Sequence, residues 1–256
     1  LGLYPGTDNT VELRLSDGRR KEIIITTGPL DSAVKLPESI DTTAAYMDGN
    51  VMFVIPAMGA LPAAYDYRGD CRWYCTENIT FAIKELQNGR FSIGSPRLLE
   101  KPYYTTGLWE MDLIGKIYAE YRLPGGYHHD QFEMEDGNLL ILTQEKNAAT
   151  AEDMCVLVDR GSGEIIKSWD YKKVLPQEAA KSGSWSEHDW FHNNAVWYDK
   201  RTNSLTLSGR HQDAVINIDF ETGELNWIIG DPEGWPEDMV SRYFFTPAGG
   251  GGLDRA

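Results

Sequence analysis

Cysteine is scarce in this sequence, with three residues in 256, which is too few for a disulfide framework. In an extended strand the Cα atoms of Cys71 and Cys75 would lie roughly 13 Å apart, so only a bulge or turn could bring them within disulfide reach. Cys155, within MCVLVD, is predicted to be a buried strand cysteine. The sequence also lacks a CxxC pair and an HExxH motif, two common signals of redox and zinc chemistry.

Positive charge is also in short supply. Lysine and arginine total 24 against 39 acidic residues, for a formal net charge of -15. This argues against nucleic acid or an anionic membrane as a partner, although a local positive pocket for a small anion stays open. No apolar run approaches a membrane span, and no signal peptide is recognisable. Because the chain begins Leu1-Gly2, we expect a mature chain or a fragment, so a missing leader does not argue for the cytoplasm.

The sequence is long and rich in aromatic residues. With 256 residues it can bury a sizeable core, as one large all-β domain or two smaller ones. Its 41% hydrophobic and 25% charged residues are ordinary for a globular protein. The eight tryptophans and thirteen tyrosines favour β-structure and sugar-like or aryl ligands.

The first 35 residues predict a β-hairpin. Apolar residues alternate up to Leu15, Ser16-Asp17-Gly18 forms a turn, and Glu22 to Thr26 runs back. Nothing later in the chain matches this pattern. We therefore expect residues 1–35 to be the end of a separate N-terminal β-domain, residues 36–247 to form the main domain, and residues 248–256 to be a glycine-rich irregular tail.

A two-part repeat begins near residue 40. One part is a turn that leads into an apolar strand, as in DGNVMFVI, NGRFSI, DGNLLIL and TNSLTL. The other part is a strand, an aspartate, a glycine turn and a second strand that often ends in tryptophan, as in AAYDYRGDCRW, WEMDLIGKIY, VLVDRGSGEIIKSW and INIDFETGELNW. Glycine allows the positive φ that such turns need, and aspartate bonds its own turn backbone.

The spacing of this repeat predicts a β-propeller. The repeated aspartates Asp66, Asp112, Asp159 and Asp219 are 46, 47 and 60 residues apart, and a four-stranded blade takes roughly 40–50 residues. Four units are visible, fewer than a closed ring usually has, so we expect an incomplete propeller. A β-sandwich of repeated hairpins is the alternative. Short helical turns are expected near Gln177–Lys181 and Glu237–Tyr243.

Two histidines occupy matching places in consecutive repeats. His128 lies six residues before Met134, and His192 lies six before Tyr198. Equivalent positions in propeller blades are related by rotation about the central axis, so both rings should converge on one site. Arg210 follows the strand downstream of His192 and is expected at the same mouth.

Two imidazoles and a guanidinium suit a tetrahedral oxyanion, because arginine offers a planar fork and each histidine can donate from one nitrogen. Sulfuryl or phosphoryl transfer needs such donors together with an acid and a nucleophile. His128, His129, His192 and Asp130 could also hold a metal, but no acidic cluster completes an obvious site. His188 and His211 are interpreted as structural or supporting. Asn78-Ile79-Thr80 matches a glycosylation sequon, which is a frequent accidental match.

At HDWFHNNAVWYD, LSGRHQDAVINID and TGELNWIIGDPEGW the sequence resembles the bacterial arylsulfate sulfotransferases, which work without the nucleotide sulfate donor. AAYDYRGDCRWY and GYHHDQFEMEDGNLLIL resemble earlier blades of that family. The likeness runs from about residue 40 to 247, and LGLYPGTDNTVELRL resembles the end of the family's N-terminal domain. The combination of motifs is specific, whereas no single one is.

The resemblance implies a six-bladed propeller, often periplasmic and often dimeric. It implies ping-pong transfer of a sulfuryl group from a phenolic sulfate donor to a phenol acceptor through a sulfohistidine, with no organic cofactor. By motif, His128, His192 and Arg210 match the family's supporting histidines and arginine, and we assign His129 and Asn194 to substrate binding beside them.

The family's nucleophilic histidine lies beyond the stretch that reads YFFTP in this chain, and none of the five histidines follows residue 211. We therefore expect the oxyanion-binding half of a site without its nucleophile, in a chain that needs a homodimer partner or a completing chain. Two other hypotheses stay open. One is a non-catalytic propeller that binds small anions or a protein, and the other is a metal-dependent hydrolase or lyase.

Overall fold

The computed structural model describes residues 2–56, 60–77, 79, 81–100 and 104–245. Within these ranges the chain is all-β, as predicted, and its α-helices are the short segments Ala44–Met47 (α1) and Glu237–Tyr243 (α2). None of the helices in these ranges is long and apolar enough to cross a membrane. Two predicted features lie outside the described residues: the sequon, through Asn78 and Thr80, and the glycine-rich tail of residues 248–256.

The chain divides into two compact units, residues 1–83 with 113–115 and the remainder. The division predicted near residue 35 therefore stays a prediction. The first unit opens with the expected hairpin of Asp8–Arg14 (β1) and Arg20–Thr26 (β2), which pair antiparallel along their full length. A second sheet in this unit has the strand order Met52–Val54 (β3), Ala63–Tyr65 (β4) and Cys71–Tyr74 (β5).

The second unit begins with a five-stranded antiparallel sheet. Its strands are Lys84–Glu85 (β6), Phe91–Gly94 (β7), Leu98–Glu100 (β8), Tyr104–Met111 (β9) and Ile117–Tyr127 (β10). The order is β10-β9-β7-β6, and β8 also pairs with β9.

Two four-stranded antiparallel sheets follow, and each runs in simple chain order. The first, which we call sheet A, contains Gln131–Glu133 (β11), Leu139–Thr143 (β12), Met154–Val158 (β13) and Ile165–Asp170 (β14). The second, sheet B, contains Asn193–Asp199 (β15), Ser204–Gly209 (β16), Ala214–Asp219 (β17) and Leu225–Gly230 (β18). The turn and strand signals of the sequence thus mark the observed hairpins of both sheets.

The repeated aspartates act as turn residues, as predicted. Each accepts backbone hydrogen bonds at Oδ1 from its own turn, with lengths of 2.7 to 3.2 Å, at Asp66, Asp112, Asp159 and Asp219. The glycine of each turn has a φ between 73° and 88°, a region that glycine enters without steric cost.

Sheets A and B share one hydrophobic core. It combines inward residues of both sheets with the loop that joins them, including Leu142, Trp169, Trp190, Phe191 and Leu207. Sheet A is also tied to β9 by ion pairs. Glu110 of β9 accepts from Arg90 (2.7 Å) and from Nε of Arg160 (3.0 Å), and Arg160 reaches Glu133 of β11 (2.6 Å).

The two segments that were expected to be helical differ in the structure. No helix forms over 177–181, because the segment is made of turns and Ala180 has a left-handed φ of 42°, which interrupts helical geometry. The expected helix at Glu237–Tyr243 is confirmed. All three cysteines are buried and free, so Cys71 and Cys75, whose pairing the sequence left open, are not bridged in this structure. Cys155 is a buried strand cysteine, as predicted.

Candidate functional site

The loops that lead into sheets A and B carry the predicted histidines. The strand pairing shows which residues of the two sheets correspond. Glu133 pairs with Leu139 in sheet A, and Tyr198 pairs with Leu205 in sheet B. The following strands keep the same register in both sheets, so Glu133 and Tyr198 are equivalent. His128 is then five residues before its reference residue and His192 is six before its own. A register shift between Asn193 and Ala195 absorbs the extra residue. The two histidines therefore occupy equivalent places.

Four imidazoles form a row at these loops. Ring centroids are separated by 5.5 Å between His128 and His129, by 5.0 Å between His129 and His192, and by 4.5 Å between His192 and His211. The structure thus brings together three histidines that the sequence proposed for the site. It adds His211, which was interpreted as structural or supporting.

A buried carboxylate that the sequence analysis missed lies among these rings. Glu152, two residues before β13, is fully buried, and its Oε1 accepts a hydrogen bond of 2.9 Å from Tyr104. Its Oε2 is 3.2 Å from His129 Nε2 and 3.0 Å from His192 Nδ1. Burial raises the pKa of Glu152, but the neighbouring histidines outweigh burial and lower it to about 2, so the group is ionised.

A second carboxylate fixes His192. Asp189 Oδ2 is 2.7 Å from His192 Nδ1, and the Asp189 carbonyl accepts from His211 Nδ1 at 2.6 Å. Asp189 stands three residues before His192, a spacing that could have pointed to the contact. The sequence showed no acidic residues that complete a site around the histidines, whereas the structure places Glu152 and Asp189 against His192. Asp130, the acid considered earlier, is held elsewhere by Lys84 at 2.6 Å and by the Val196 amide at 3.1 Å.

His128 has different surroundings. The ring is fully buried, and its Nε2 lies 3.1 Å from the Thr143 carbonyl oxygen. Because a carbonyl only accepts, Nε2 carries the proton and Nδ1 keeps its lone pair. That Nδ1 is buried and has no hydrogen-bond partner among the residues that the structure describes. Burial lowers the pKa of His128 to about 4, against the opposing charge of Glu152, so the ring is neutral at pH 7.

The backbone of the cluster is unusual. His129, Glu152 and His192 all have left-handed φ values, of 55°, 53° and 54°. Non-glycine residues adopt this region uncommonly, and such residues concentrate at functional sites. A left-handed backbone at the carboxylate residue and at the two histidines beside it therefore favours a functional role for this cluster over a role in packing alone.

Arg210 and Asn194 lie beside His192 in the chain. The Arg210 amide donates to the His192 carbonyl at 3.1 Å, and the Arg210 side chain is exposed. Among the arginines in the described ranges, Arg210 is the one whose guanidinium has no hydrogen bond, ion pair or ring contact. Asn194 has a buried Oδ1 with no hydrogen-bond partner in the described part of the chain. The Arg210 guanidinium and Asn194 Oδ1 are therefore able to form hydrogen bonds to a ligand.

Comparison with known proteins gives a consistent picture. The profile of the Arylsulfotransferase (ASST) family matches residues 37–253. Arylsulfate sulfotransferase AssT of Lelliottia amnigena and AssT of Escherichia coli O6:H1 are each 23% identical over 244 residues, an alignment that covers 73% of this chain. The chain spans 40% of the length of these curated relatives.

Solved structures are more distant. A protein of unknown function from Bacteroides caccae has a TM-score of 0.45 at 12% identity and covers 91% of this chain and 81% of its own. BamB from Moraxella catarrhalis has a TM-score of 0.37 at 12% identity, with coverage of 70% and 49%. These scores are too low to define the fold. The family match extends over most of the chain and includes every residue of the histidine cluster, so the chain belongs to the arylsulfotransferase (ASST) family.

Proposed function

We propose that this chain forms the oxyanion-binding part of an arylsulfate sulfotransferase. In this reaction a sulfuryl group passes from a phenolic sulfate ester to a phenol by a ping-pong route through a sulfohistidine. The observation that carries the proposal is the Arg210 guanidinium, which has no partner among the described residues and whose backbone amide donates to the carbonyl of His192 in the histidine row. Family membership supplies the reaction class.

The roles follow from hydrogen-bonding capacity. Arg210 offers a planar fork to two sulfuryl oxygens. The Nδ1–H of His192 is directed to Asp189, which leaves Nε2 for the substrate and stabilises positive charge on the ring. His128 can donate to an oxygen through Nδ1 only if that nitrogen gains a proton, since Nε2 is committed to Thr143. His129 and Asn194 are proposed to contact the ester beside them.

The remaining parts of the proposal follow the family. The sheets are proposed to be blades of a six-bladed propeller that works in the periplasm as a homodimer or with a completing chain. The nucleophilic histidine is proposed to lie outside these 256 residues. Binding of the ester is therefore the property to measure on this chain, and turnover belongs to the whole protein.

Binding of 4-nitrophenyl sulfate by isothermal titration calorimetry tests the proposal. Arg210→Ala should weaken binding about 10- to 100-fold, the equivalent of one or two charge-assisted hydrogen bonds. Arg201→Ala is the matched control, because Arg201 lies on the same sheet and is exposed, but already pairs with Asp199. The control should bind like the wild type, and both variants should keep its melting temperature.

Two outcomes count against the proposal. If wild-type protein does not bind the ester, a propeller that binds a protein or another anion becomes the better hypothesis. If Arg210→Ala binds as well as Arg201→Ala, then Arg210 does not hold the sulfuryl group.

A further inference from the structure

The histidine row contains a set of groups suited to a metal ion. One ring nitrogen of His128, one of His129 and one carboxylate oxygen of Glu152 all lie within 4.8 Å of one another. Ligands about 2.0–2.1 Å from a tetrahedral zinc ion are roughly 3.4 Å apart. His129 Nε2 and Glu152 Oε2, at 3.2 Å, already have that spacing.

The outer contacts of these groups match those of metal ligands. A metal-binding histidine usually donates its other ring N–H to a carbonyl, and a ligating carboxylate is itself hydrogen-bonded. His128 donates from Nε2 to Thr143, and Glu152 accepts from Tyr104 at Oε1. His128 and Glu152 therefore each use one side-chain atom in a hydrogen bond, and each keeps a second atom that could bind a metal ion. For His128 that second atom is the buried Nδ1 without a partner.

The charge balance also favours a cation. Glu152 and Asp189 flank the row, and their ion pairs within the described residues are all with histidines and none with lysine or arginine. A histidine is a cation only when it is protonated, so these pairs give the buried Glu152 carboxylate no permanently charged partner. A divalent ion beside Glu152 would provide that partner.

The neighbouring triad of Asp189, His192 and His211 has similar spacing but weaker support. The Nδ1 atoms of both histidines are already directed to Asp189, one to its carboxylate and one to its carbonyl. Metal binding there would break these hydrogen bonds, whereas at the first triad Nδ1 of His128 is unused.

We propose that His128, His129 and Glu152 bind a divalent transition-metal ion. Two imidazoles and a carboxylate suit zinc and its neighbours better than magnesium or calcium, and three protein ligands leave one position of a tetrahedral ion open for an external oxygen. The open position suits an oxyanion such as a sulfuryl group. The metal site itself does not depend on the proposed transfer reaction.

Titration of the metal-free chain with Zn²⁺ alone tests this proposal. We expect one Zn²⁺ per chain with a Kd below about 1 µM, and Co²⁺ should give the visible absorption of tetrahedral nitrogen–oxygen coordination. Glu152→Gln should weaken Zn²⁺ binding more than about 100-fold, since loss of a ligand exceeds the usual effect of an outer contact. Glu145→Gln, at an exposed glutamate, should bind like the wild type.

His129→Asn provides a second variant if Glu152→Gln does not fold, because asparagine tolerates the left-handed backbone of His129. It should also lose Zn²⁺ binding. The proposal is overturned if the wild type binds no Zn²⁺, or if a folded Glu152→Gln or His129→Asn variant keeps wild-type affinity. A separate ester titration of the metal-free wild type, with EDTA present, distinguishes the two proposals. If the wild type binds the ester but no Zn²⁺, only the metal site is overturned. If it binds Zn²⁺ but no ester, only the sulfuryl site is overturned.

Discussion

Sheets A and B place a histidine at the same point but surround it with opposite chemistry. In sheet A, His128 is sealed from solvent, donates to a carbonyl and keeps a bare nitrogen. In sheet B, His192 lies against two carboxylates, Glu152 and Asp189. The first ring is held as a neutral acceptor and the second as a donor. Repetition of the fold therefore sets where a histidine lies, and its local partners set what it can do.

The residue on the neighbouring strand accounts for part of this difference. By strand register, Thr143 of sheet A corresponds to Gly209 of sheet B. Thr143 supplies the carbonyl that orients His128, and its side chain donates to the Gly126 carbonyl at 2.6 Å. Gly209 has no side chain, and the Phe191 ring fills the space that one would occupy. One sheet thus fixes its histidine from the strand, and the other packs an aromatic ring there.

The largest expected effect comes from what the two sheets share. The residue before each histidine is a fully buried aromatic, Tyr127 in sheet A and Phe191 in sheet B. Phe191→Ala and Tyr127→Ala should each lower the free energy of unfolding by about 3–5 kcal/mol, through lost packing and a cavity. Urea denaturation measures this. Tyr46→Ala, at a tyrosine that is 87% exposed, should change stability little. If only one of the two variants lowers the free energy of unfolding by less than about 1 kcal/mol, the two aromatic positions are not equivalent.

The second prediction concerns Gly209, a position at which sheet B differs from sheet A. A Cβ on Gly209 would lie 2.3–2.7 Å from atoms of the Phe191 ring, which is buried and cannot move freely. Gly209→Ala should therefore destabilise the fold by about 2 kcal/mol by overpacking. Gly183→Ala is the control, because nothing lies within 4 Å of its added Cβ. Equal melting temperatures for both variants would show that Phe191 adapts easily.

The smallest effect concerns the ion pairs that tie sheet A to β9. Burial raises the pKa of Glu110, but Arg90, Asn88 and Arg160 outweigh burial and lower it below 4.5. Its stabilising contribution is thus present above pH 4.5 and lost as the pH falls through the lowered pKa. Glu110→Gln should cost about 1–2 kcal/mol at pH 7, and its deficit should shrink below pH 4.5. Urea denaturation from pH 7 to pH 3 measures this, and a deficit that stays constant would rule out Glu110 as the titrating group.

The sequence was most informative about the strands. Turn residues and glycine positions marked the hairpins of sheets A and B, because the geometry of a short turn is set by a few adjacent residues. The segment 177–181 misled because helical composition there is overridden by the left-handed Ala180. A propensity for helix is weak beside such tertiary constraints.

The histidines could be found from repeat spacing, but their partners could not. Glu152 lies two residues before β13 and Asp189 lies in the loop before β15, and neither belongs to the repeated pattern. Their contacts depend on how separate loops fold over the ends of the sheets, which single-sequence periodicity does not encode. Nδ1 of His128 is left unused because Nε2 donates to the Thr143 carbonyl. Every residue has a backbone carbonyl, so the sequence does not show which one His128 contacts.

The left-handed backbone at positions 129, 152 and 192 also limits which residues could replace those found there. Glycine, asparagine and aspartate enter this region readily, whereas valine, isoleucine and threonine do so at high cost. A library randomised at the three positions should return its folded members mainly from the first group. An alanine scan across them would combine the loss of a side chain with added backbone strain, so asparagine is the better replacement when only the imidazole is to be removed.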